Sequence, residues 1–339
     1  MKLAIHQSRD SYSDRWTIYC KQQAIDFKLV DCYSNDIVQQ LQDCDALLWH
    51  HHQGKPRDLV FAKQLLFAWE HAGKKVFPNF KTGWHFDDKL GQKYLLEACN
   101  IPMVETFAFF TKSEALSWVE ANTFPKVFKL RGGAGSGNVM LAKDKATAKA
   151  FINKAFGRGF SQYQPLNSLK ERYTKFRKGK VSIIEVAKGL ARFAVPPPYA
   201  KQAGREKGYV YFQEFIEGND HDIRVIVIGN KAYAIKRMVR KNDFRASGSG
   251  NILYDKALFD EKVIALSFNI NQRLQTQCLA LDFVFKNGEP LVVEISFGFS
   301  MAGYDPCPGY WDDNLQWHQG KFNPYGWMIE DIINASTKK

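Results

Sequence analysis

Ala280-Leu281-Asp282-Phe283-Val284-Phe285, followed after Lys286-Asn287-Gly288-Glu289-Pro290 by Leu291-Val292-Val293-Glu294-Ile295, is the stretch on which the fold turns. Two short apolar runs joined through Asn-Gly read as an antiparallel hairpin, because that dipeptide tolerates the positive φ of a tight turn. Side chains alternate along each strand, so Asp282 and Glu294 can lie near one another on one face. Two such carboxylates among apolar neighbours repel unless a cation joins them, and hard oxygen ligands favour Mg²⁺. The other reading is a solvated surface pair.

Upstream of this hairpin, strand signals continue at Tyr209–Phe215, Asp222–Ile228 and Lys231–Val239, with a turn at Asn230. A helix over Lys262–Gln275 interrupts them, so the second half reads as antiparallel sheet plus helices. The first 85 residues differ. Short runs at Leu3–His6, Phe27–Val30, Ala46–Trp49 and Lys75–Phe77 alternate with helix-like Arg15–Gln23, Ile37–Leu41 and Asp58–His71. That order implies a small parallel sheet. No G-x-G-x-x-G follows its first strand, which argues against a dinucleotide site there. Asp87–Cys99 reads as a helix ending before Ile101-Pro102, and Val127–Leu130 as a strand running into Arg131-Gly132-Gly133-Ala134-Gly135-Ser136-Gly137-Asn138. Gly132 and Gly137 have P-loop spacing, but Asn138-Val139 replaces the required Lys-Ser/Thr, so a P-loop NTPase is excluded. A glycine loop between two strands can still fold over an anion and aim N–H groups at phosphate oxygens. An ordinary hairpin is the alternative.

The excess of positive charge is concentrated in one region. The 339 residues carry 47 Lys+Arg against 35 Asp+Glu, a net +12. Residues 154–207 hold 13 basic and 3 acidic residues, leaving 34 against 32 elsewhere. Such a patch concentrates anions: nucleotide, polyanionic substrate, lipid headgroup or nucleic acid. A solvated helix face is the plainer reading. The segment also contains a helix signal at Leu166–Lys178 and the breaker Pro196-Pro197-Pro198. With 45% apolar and 24% charged residues the composition is globular, and no apolar run approaches the ~20 residues that cross a bilayer. The N-terminus lacks a signal-peptide core, and six scattered cysteines without a Cys-x-x-Cys pair read as reduced thiols. A cytoplasmic protein is expected.

Cations flank the candidate acids. Lys89 opens a helix, Lys129 precedes the glycine loop, Arg224 sits in Asp222-Ile223-Arg224, and Arg245 closes Asp243-Phe244-Arg245. Many bases with two strand-end carboxylates suit a triphosphate with Mg²⁺. Gln213-Glu214-Phe215-Ile216, Asp222-Ile223-Arg224, Asp243-Phe244-Arg245, then Asp282 and Glu294, in this order, resemble the ATP-grasp superfamily of carboxylate–amine ligases. They are most similar to its ribosomal-protein glutamate ligase and glutathione synthetase branch. The likeness runs from about Asp87 to Ile295.

The resemblance implies a mixed α/β and α+β architecture, an ATP-grasp fold with nucleotide between two antiparallel-sheet subdomains, preceded by a small Rossmann-like parallel-sheet domain. It divides the chain into 1–86 (α/β domain), 87–207 (small subdomain with glycine loop and basic insertion) and 208–339 (acid-bearing subdomain with an aromatic tail). It implies ATP and Mg²⁺ as cofactors and an acyl-phosphate intermediate. Lys89, Lys129 and Arg224 would meet phosphates, with Gly133, Gly135 and Ser136 in the lid. Gln213, Glu214, Phe215 and Ile216 would present adenine contacts, and Glu217 the ribose contact. Asp282, Glu294 and Ser296 would hold metal, and Arg245 with Arg224 would act in catalysis.

Two departures stand out: Ser296 replaces the family's usual Asn in Glu-x-Asn, and Ala246-Ser247 replaces an Asn after Arg245. Serine is the shorter, poorer ligand, so the second Mg²⁺ is expected to be weaker or water-bridged. Trp84–Lys89 and Cys307–Asp313 also resemble uncharacterised ATP-grasp proteins of bacterial surface-polysaccharide clusters, which suggests a carboxylate and an amine in a glycan or its precursor. The alternatives are a nucleic-acid-binding protein stacking bases on Tyr163, Tyr173, Phe176 and Phe193, and a nucleotide-binding regulator without catalysis. His50-His51-His52 ends a strand where α/β ligands bind. Strand alternation keeps three consecutive histidines from sharing one face, so lining an acceptor cleft and plain surface are the main readings. The aromatic tail Tyr304–Trp327 is expected to cover the cleft.

Overall fold

The computed structural model describes residues 1–133, 138–161, 169, 172–173, 176–177, 179, 181–195, 204–240 and 243–334. Gly135, Ser136, Tyr163, most of the Leu166–Lys178 segment and Pro196–Pro198 lie outside them. Two compact units are present: Met1–Val104 with Ile216–Lys339, and Glu105–Phe215. The units therefore join at Val104/Glu105 and Phe215/Ile216, whereas the sequence reading divides the chain after 86 and after 207.

In the first unit, β1 (Leu3–His6), β2 (Phe27–Val30), β3 (Ala46–Leu48) and β4 (Lys75–Phe77) form an all-parallel sheet in the order β2-β1-β3-β4. α1 (Ser13–Gln22) and α2 (Pro56–His71) connect along the chain. Alternation splits the sheet between two cores. Leu3, Ile5, Ala46, Leu48 and Phe77 face one cluster, and Ala4, Leu47 and Val76 face the other with Ala62, Leu66 and Trp69 of α2. α3 (Lys89–Ala98) follows, capped by Asp88, whose carboxylate accepts from Gly91 N at 3.0 Å.

The second unit holds β5 (Thr106–Phe109), α4 (Lys112–Ala121), β6 (Lys126–Lys129), β7 (Val139–Ala142), α5 (Lys145–Ala155), β8 (Phe160–Ser161), α6 (Ile183–Ala191), β9 (Arg205–Glu206) and β10 (Val210–Glu214). Four of its strands make an antiparallel sheet in the order β5-β10-β6-β7. Its core joins Ala115 and Val119 of α4 and Ala148 and Ile152 of α5 to Phe128 and Phe212.

The first unit resumes with β11 (His221–Ile228), β12 (Lys231–Met238), β13 (Ile252–Leu253), α7 (Glu261–Leu274), β14 (Cys278–Lys286), β15 (Glu289–Ser296), β16 (Gly309–Asp312), β17 (Trp317–Gln319) and α8 (Pro324–Asn334). The strands order as β15-β14-β11-β12-β16-β17, with β13 on β12. The β14–β15 turn takes Asn287 at φ 55° and Gly288 at φ 80°, as expected of Asn-Gly. Val225, Leu279 and Phe283 bury one face under Val263 and Ile270 of α7, and Ile226, Ile228 and Ala280 bury the other against the N-terminal sheet's cluster.

The aromatic tail is corrected by this topology. Rather than covering a cleft, β16 extends the sheet on β12. Tyr325, Met328, Ile329 and Ile332 of α8 join the cluster that holds Leu3 and Trp16, and Trp327 stacks on Phe322 at 5.1 Å. Gln, Asn and Gly punctuation hid the i, i+3, i+4, i+7 period that makes this a core helix. The surface reading of the histidine run is corrected in part: His50 and His51 are buried, as is His85, while His52 is exposed. His50 stacks on Tyr12 at 3.5 Å, and its Nδ1 accepts from Tyr12 N at 3.2 Å.

Burial holds those three rings neutral, pushing His51 down to about 3, His85 to about 4 and His50 well below its usual 6.5. The unfolded chain then binds more protons below pH 6.5, so this stability is complete above 6.5 and lost as pH falls toward the folded values. Asp331, pushed up by burial to about 6, works in the opposite sense below that pH. Among the described residues five histidines are pushed down (His6, His50, His51, His52 and His85) and two carboxyls, Asp222 and Asp331, are pushed up. The balance is a loss of stability as pH falls below about 6.5, roughly 1.4 kcal/mol per pH unit for each proton the unfolded chain binds in excess. Urea midpoints that stay flat from pH 7 to pH 5 would contradict this.

Candidate active site

The two acids of the hairpin meet as read. Asp282 of β14 and Glu294 of β15 are direct register partners, with a bulge immediately after Asp282. Their neighbours Leu281, Phe283 and Ile295 are buried under the α7 face, so period two turns both carboxylates to the opposite face. There they meet bases from three separate elements. Arg224 is Asp282's register partner on β11, and its Nη1 donates to Asp282 Oδ2 at 3.3 Å while Nη2 donates to Gly298 O at 3.0 Å. Lys89 Nζ lies 3.3 Å from Glu294 Oε1 with only 3% of its side chain exposed. Lys89 begins α3, at the positive end of the helix dipole, where an unopposed cation is disfavoured. The carboxylate facing it offsets that cost. Gln92, one turn on, accepts from Ile295 N at 3.3 Å and donates to His85 O at 3.1 Å, which fixes α3 against β15.

The sequence reading missed Arg237. It lies on β12 opposite Asp222 and grips that carboxylate with Nε–Oδ1 at 2.6 Å and Nη2–Oδ2 at 2.7 Å. The same Nη2 forms an ion pair with Asp282 Oδ1 at 3.0 Å. Burial disfavours the charge on Arg237, but Asp282 and Asp222 outweigh it and raise its pKa. Arg237 followed Lys236 in a run of bases, and only strand parity separates the two: Arg237 is buried and Lys236 half-buried. Asp222, Asp282 and Glu294 thus balance Lys89, Arg224 and Arg237 charge for charge.

The remaining expected residues fall in three groups. Ser296 Oγ accepts from Gly298 N at 3.0 Å and donates to Gly298 O at 3.2 Å, so its hydroxyl shapes the turn after β15. Arg245 is clamped by Asp243, with Nε–Oδ1 at 2.8 Å and Nη2–Oδ2 at 2.7 Å. Glu217 lines a hollow of about 460 Å³ with Asn219, His221, Ile223 and Phe285.

In the second unit, Gln213 and Glu214 end β10, and Phe215 is that unit's last residue, with Ile216 the first of the resumed unit. Buried Gln213 donates to Thr106 Oγ1 at 3.2 Å. Glu214 pairs with buried Lys126, its register partner, a second cation the sequence reading passed over. Lys129 ends β6 and is buried. The glycine loop is tethered where it begins: Arg131 N and Gly132 N donate to Glu206 at 2.9 and 3.3 Å, and Asn138 Nδ2 donates to Gly132 O at 3.1 Å. Gly133 has φ 103°, and a Cβ there would meet Asn138 Nδ2 at 2.2 Å, so only glycine fits.

Among the described residues no group of three or more His, Cys, Asp or Glu is gathered for a metal. Two carboxylates on one face, 14% and 33% exposed, are nonetheless the donor set that suits Mg²⁺ shared with phosphate oxygens. No helix of the described residues is long and apolar enough to cross a membrane.

Residues 200–305 match the family model of the RimK-like ATP-grasp domain. Among curated proteins no sequence matches the chain. Solved structures are similar over nearly its whole length. A RimK domain ATP-grasp protein from Sphaerobacter thermophilus shares 17% identity, with 98% of this chain and 99% of that one covered and a TM-score of 0.55. The D-alanine–D-alanine ligase of Bacillus anthracis shares 16%, covering 100% and 98%, at 0.54. The biotin carboxylase domain of the Hydrogenobacter thermophilus 2-oxoglutarate carboxylase, complexed with MgADP and bicarbonate, shares 11%, covering 98% and 69%, at 0.58. The chain has the ATP-grasp fold.

Proposed function

We propose that this ATP-grasp chain is an ATP- and Mg²⁺-dependent ligase that joins a carboxylate to an amine through an acyl phosphate. The observation that carries the reading is the Asp282–Glu294 register pair, faced by Lys89, Arg224 and Arg237. A carboxylate is an inert acyl donor near neutral pH. In the proposed reaction its oxygen attacks the γ-phosphorus and ADP leaves. The amine nitrogen then attacks the acyl carbon, phosphate departs, and the nitrogen loses a proton. No protein nucleophile is required; the chain has to position the reactants, neutralise charge and exclude water.

Asp282 and Glu294 would hold the metal, which supplies charge neutralisation on the phosphate oxygens. Lys89 and Arg224, which neutralise these acids in the structure, would then be free to take phosphate oxygens, joined by Lys129. Backbone groups around Glu214 and Ile216, with Gln213 and Phe215 supporting them, would present the adenine edge. Gly133, Gly135 and Ser136 would close over phosphate. Arg245 would stabilise the transferring phosphoryl group, with Asp243 setting the angle of its fork.

Arg245→Ala is accordingly expected to keep ATP binding while turnover falls by about 10²–10³-fold. ADP formation is measured with candidate acids and amines, and unchanged product formation in this variant would remove Arg245 from the chemistry. The acid and amine are proposed to belong to a glycan or its precursor. The resemblance at Trp84–Lys89 and Cys307–Asp313 supports only the setting, since His85, Phe86, Cys307 and Trp311 are core residues. One observation favours a second reading: Ser296, spent on Gly298, leaves two metal ligands, which suits a nucleotide-binding regulator. ATP·Mg²⁺ raising the melting temperature without ADP formation on any acid would select it.

A further inference from the structure

We propose that α6 and the residues after it, Ile183 to Val195, form a docking surface for an anionic lipid bilayer, held at the membrane face rather than across it. Of the 18 large apolar side chains exposed among the described residues, seven fall between Tyr173 and Val195. That density exceeds the scatter of single apolar residues normal on a protein surface. The helix shows how they come to be exposed together. Its one buried position is Gly189, where a Cβ would touch Leu169 and Arg172 at about 3 Å, so this side faces the protein. At 100° per residue, positions 190, 183, 187, 191 and 184 span an arc of about 120° on the other side. They are Leu, Ile, Ala, Ala and Ile, and Ile183, Ile184 and Leu190 are 59%, 63% and 58% exposed. Phe193 and Val195 continue the patch.

Charge decides the occupant. Residues 169–195 contain eight Lys/Arg and two Glu. Of the two, Glu185 on α6 is neutralised by Arg172 and by Lys188 at 2.7 Å, so it does not repel an anionic surface. A soluble polyanion such as nucleic acid would engage the bases and leave the aliphatic arc in water. A bilayer with anionic headgroups takes both: the aliphatic side chains enter the headgroup–acyl boundary and the long basic side chains reach phosphates. This surface lies within the second unit and is independent of the ligase reading.

The test uses the full chain and sedimentation with vesicles. Binding is expected to vesicles of mixed phosphatidylcholine and phosphatidylglycerol, to weaken as salt rises, and to be absent with phosphatidylcholine alone. The double variant Ile184→Asp/Leu190→Asp is expected to lower partitioning by at least about tenfold, with an unchanged melting temperature because neither side chain is packed. Arg177→Glu/Arg192→Glu should weaken binding comparably. No sedimentation with the mixed vesicles, or equal binding by the aspartate variant, overturns the proposal. So does salt-sensitive binding of random oligonucleotides that the vesicles fail to compete away, which would assign the patch to nucleic acid.

Discussion

Arg237→Leu is expected to destabilise the protein by about 3–5 kcal/mol, the cost of leaving a buried charge without its partner. The guanidinium is 9% exposed, and it serves two carboxylates, Asp222 and Asp282, that are each 14% exposed. Removing it strands Asp222 altogether and leaves Asp282 to Arg224. The loss of packing is small because leucine fills much of the volume, so the effect is electrostatic. Its signature is rescue: Arg237→Leu/Asp222→Asn should recover most of the stability, since removing both charges abolishes the uncompensated one. Urea midpoints of the two single variants and the double variant give the coupling directly. A single-variant cost below about 1 kcal/mol, or a double variant no better than Arg237→Leu, would show that water reaches the network and that the pairing carries little.

Asp282→Asn is expected to lower ADP formation by at least about 10²–10³-fold. Asparagine keeps the shape and one acceptor oxygen toward Arg224, so the sheet should survive. What disappears is the negative charge opposite Glu294. Two consequences separate this from general damage. The increase in melting temperature produced by ATP with Mg²⁺ should shrink, while the increase from ATP alone should be kept, because the bases that meet phosphate are untouched. Glu294→Gln should behave in the same way, with Lys89 also released from its partner at 3.3 Å. Full activity in either variant would sink the metal assignment.

The fold was legible wherever the information is local. Alternation in Ala280–Phe285 and Leu291–Ile295, with Asn-Gly between, specifies a hairpin and, through its parity, which side chains share a face. The βαβ order of the first 85 residues specifies a parallel sheet, since parallel neighbours require a crossover. Less was legible around the site. Helices α4 and α5 were overlooked although Thr111 and Asp144 cap them, accepting from Glu114 N at 3.4 Å and Thr147 N at 2.7 Å. Alanine-rich amphipathic helices carry a weak apolar period, and their caps were the better signal.

By itself the sequence determined that Asp282 and Glu294 can share one face, that a glycine loop follows a strand containing Lys129, and that one segment carries the excess of positive charge. These are properties of neighbours along the chain, set by period two, by turn chemistry and by composition. Tertiary structure alone decided which bases meet those acids, that Lys126 pairs with Glu214, that the histidines are dry, and that the aromatic tail is core. Each depends on register between strands far apart in sequence, or on what covers a face. Moving one strand by a single residue would turn Arg237 from Asp222 to the opposite side of the sheet, and nothing within its own strand specifies that choice.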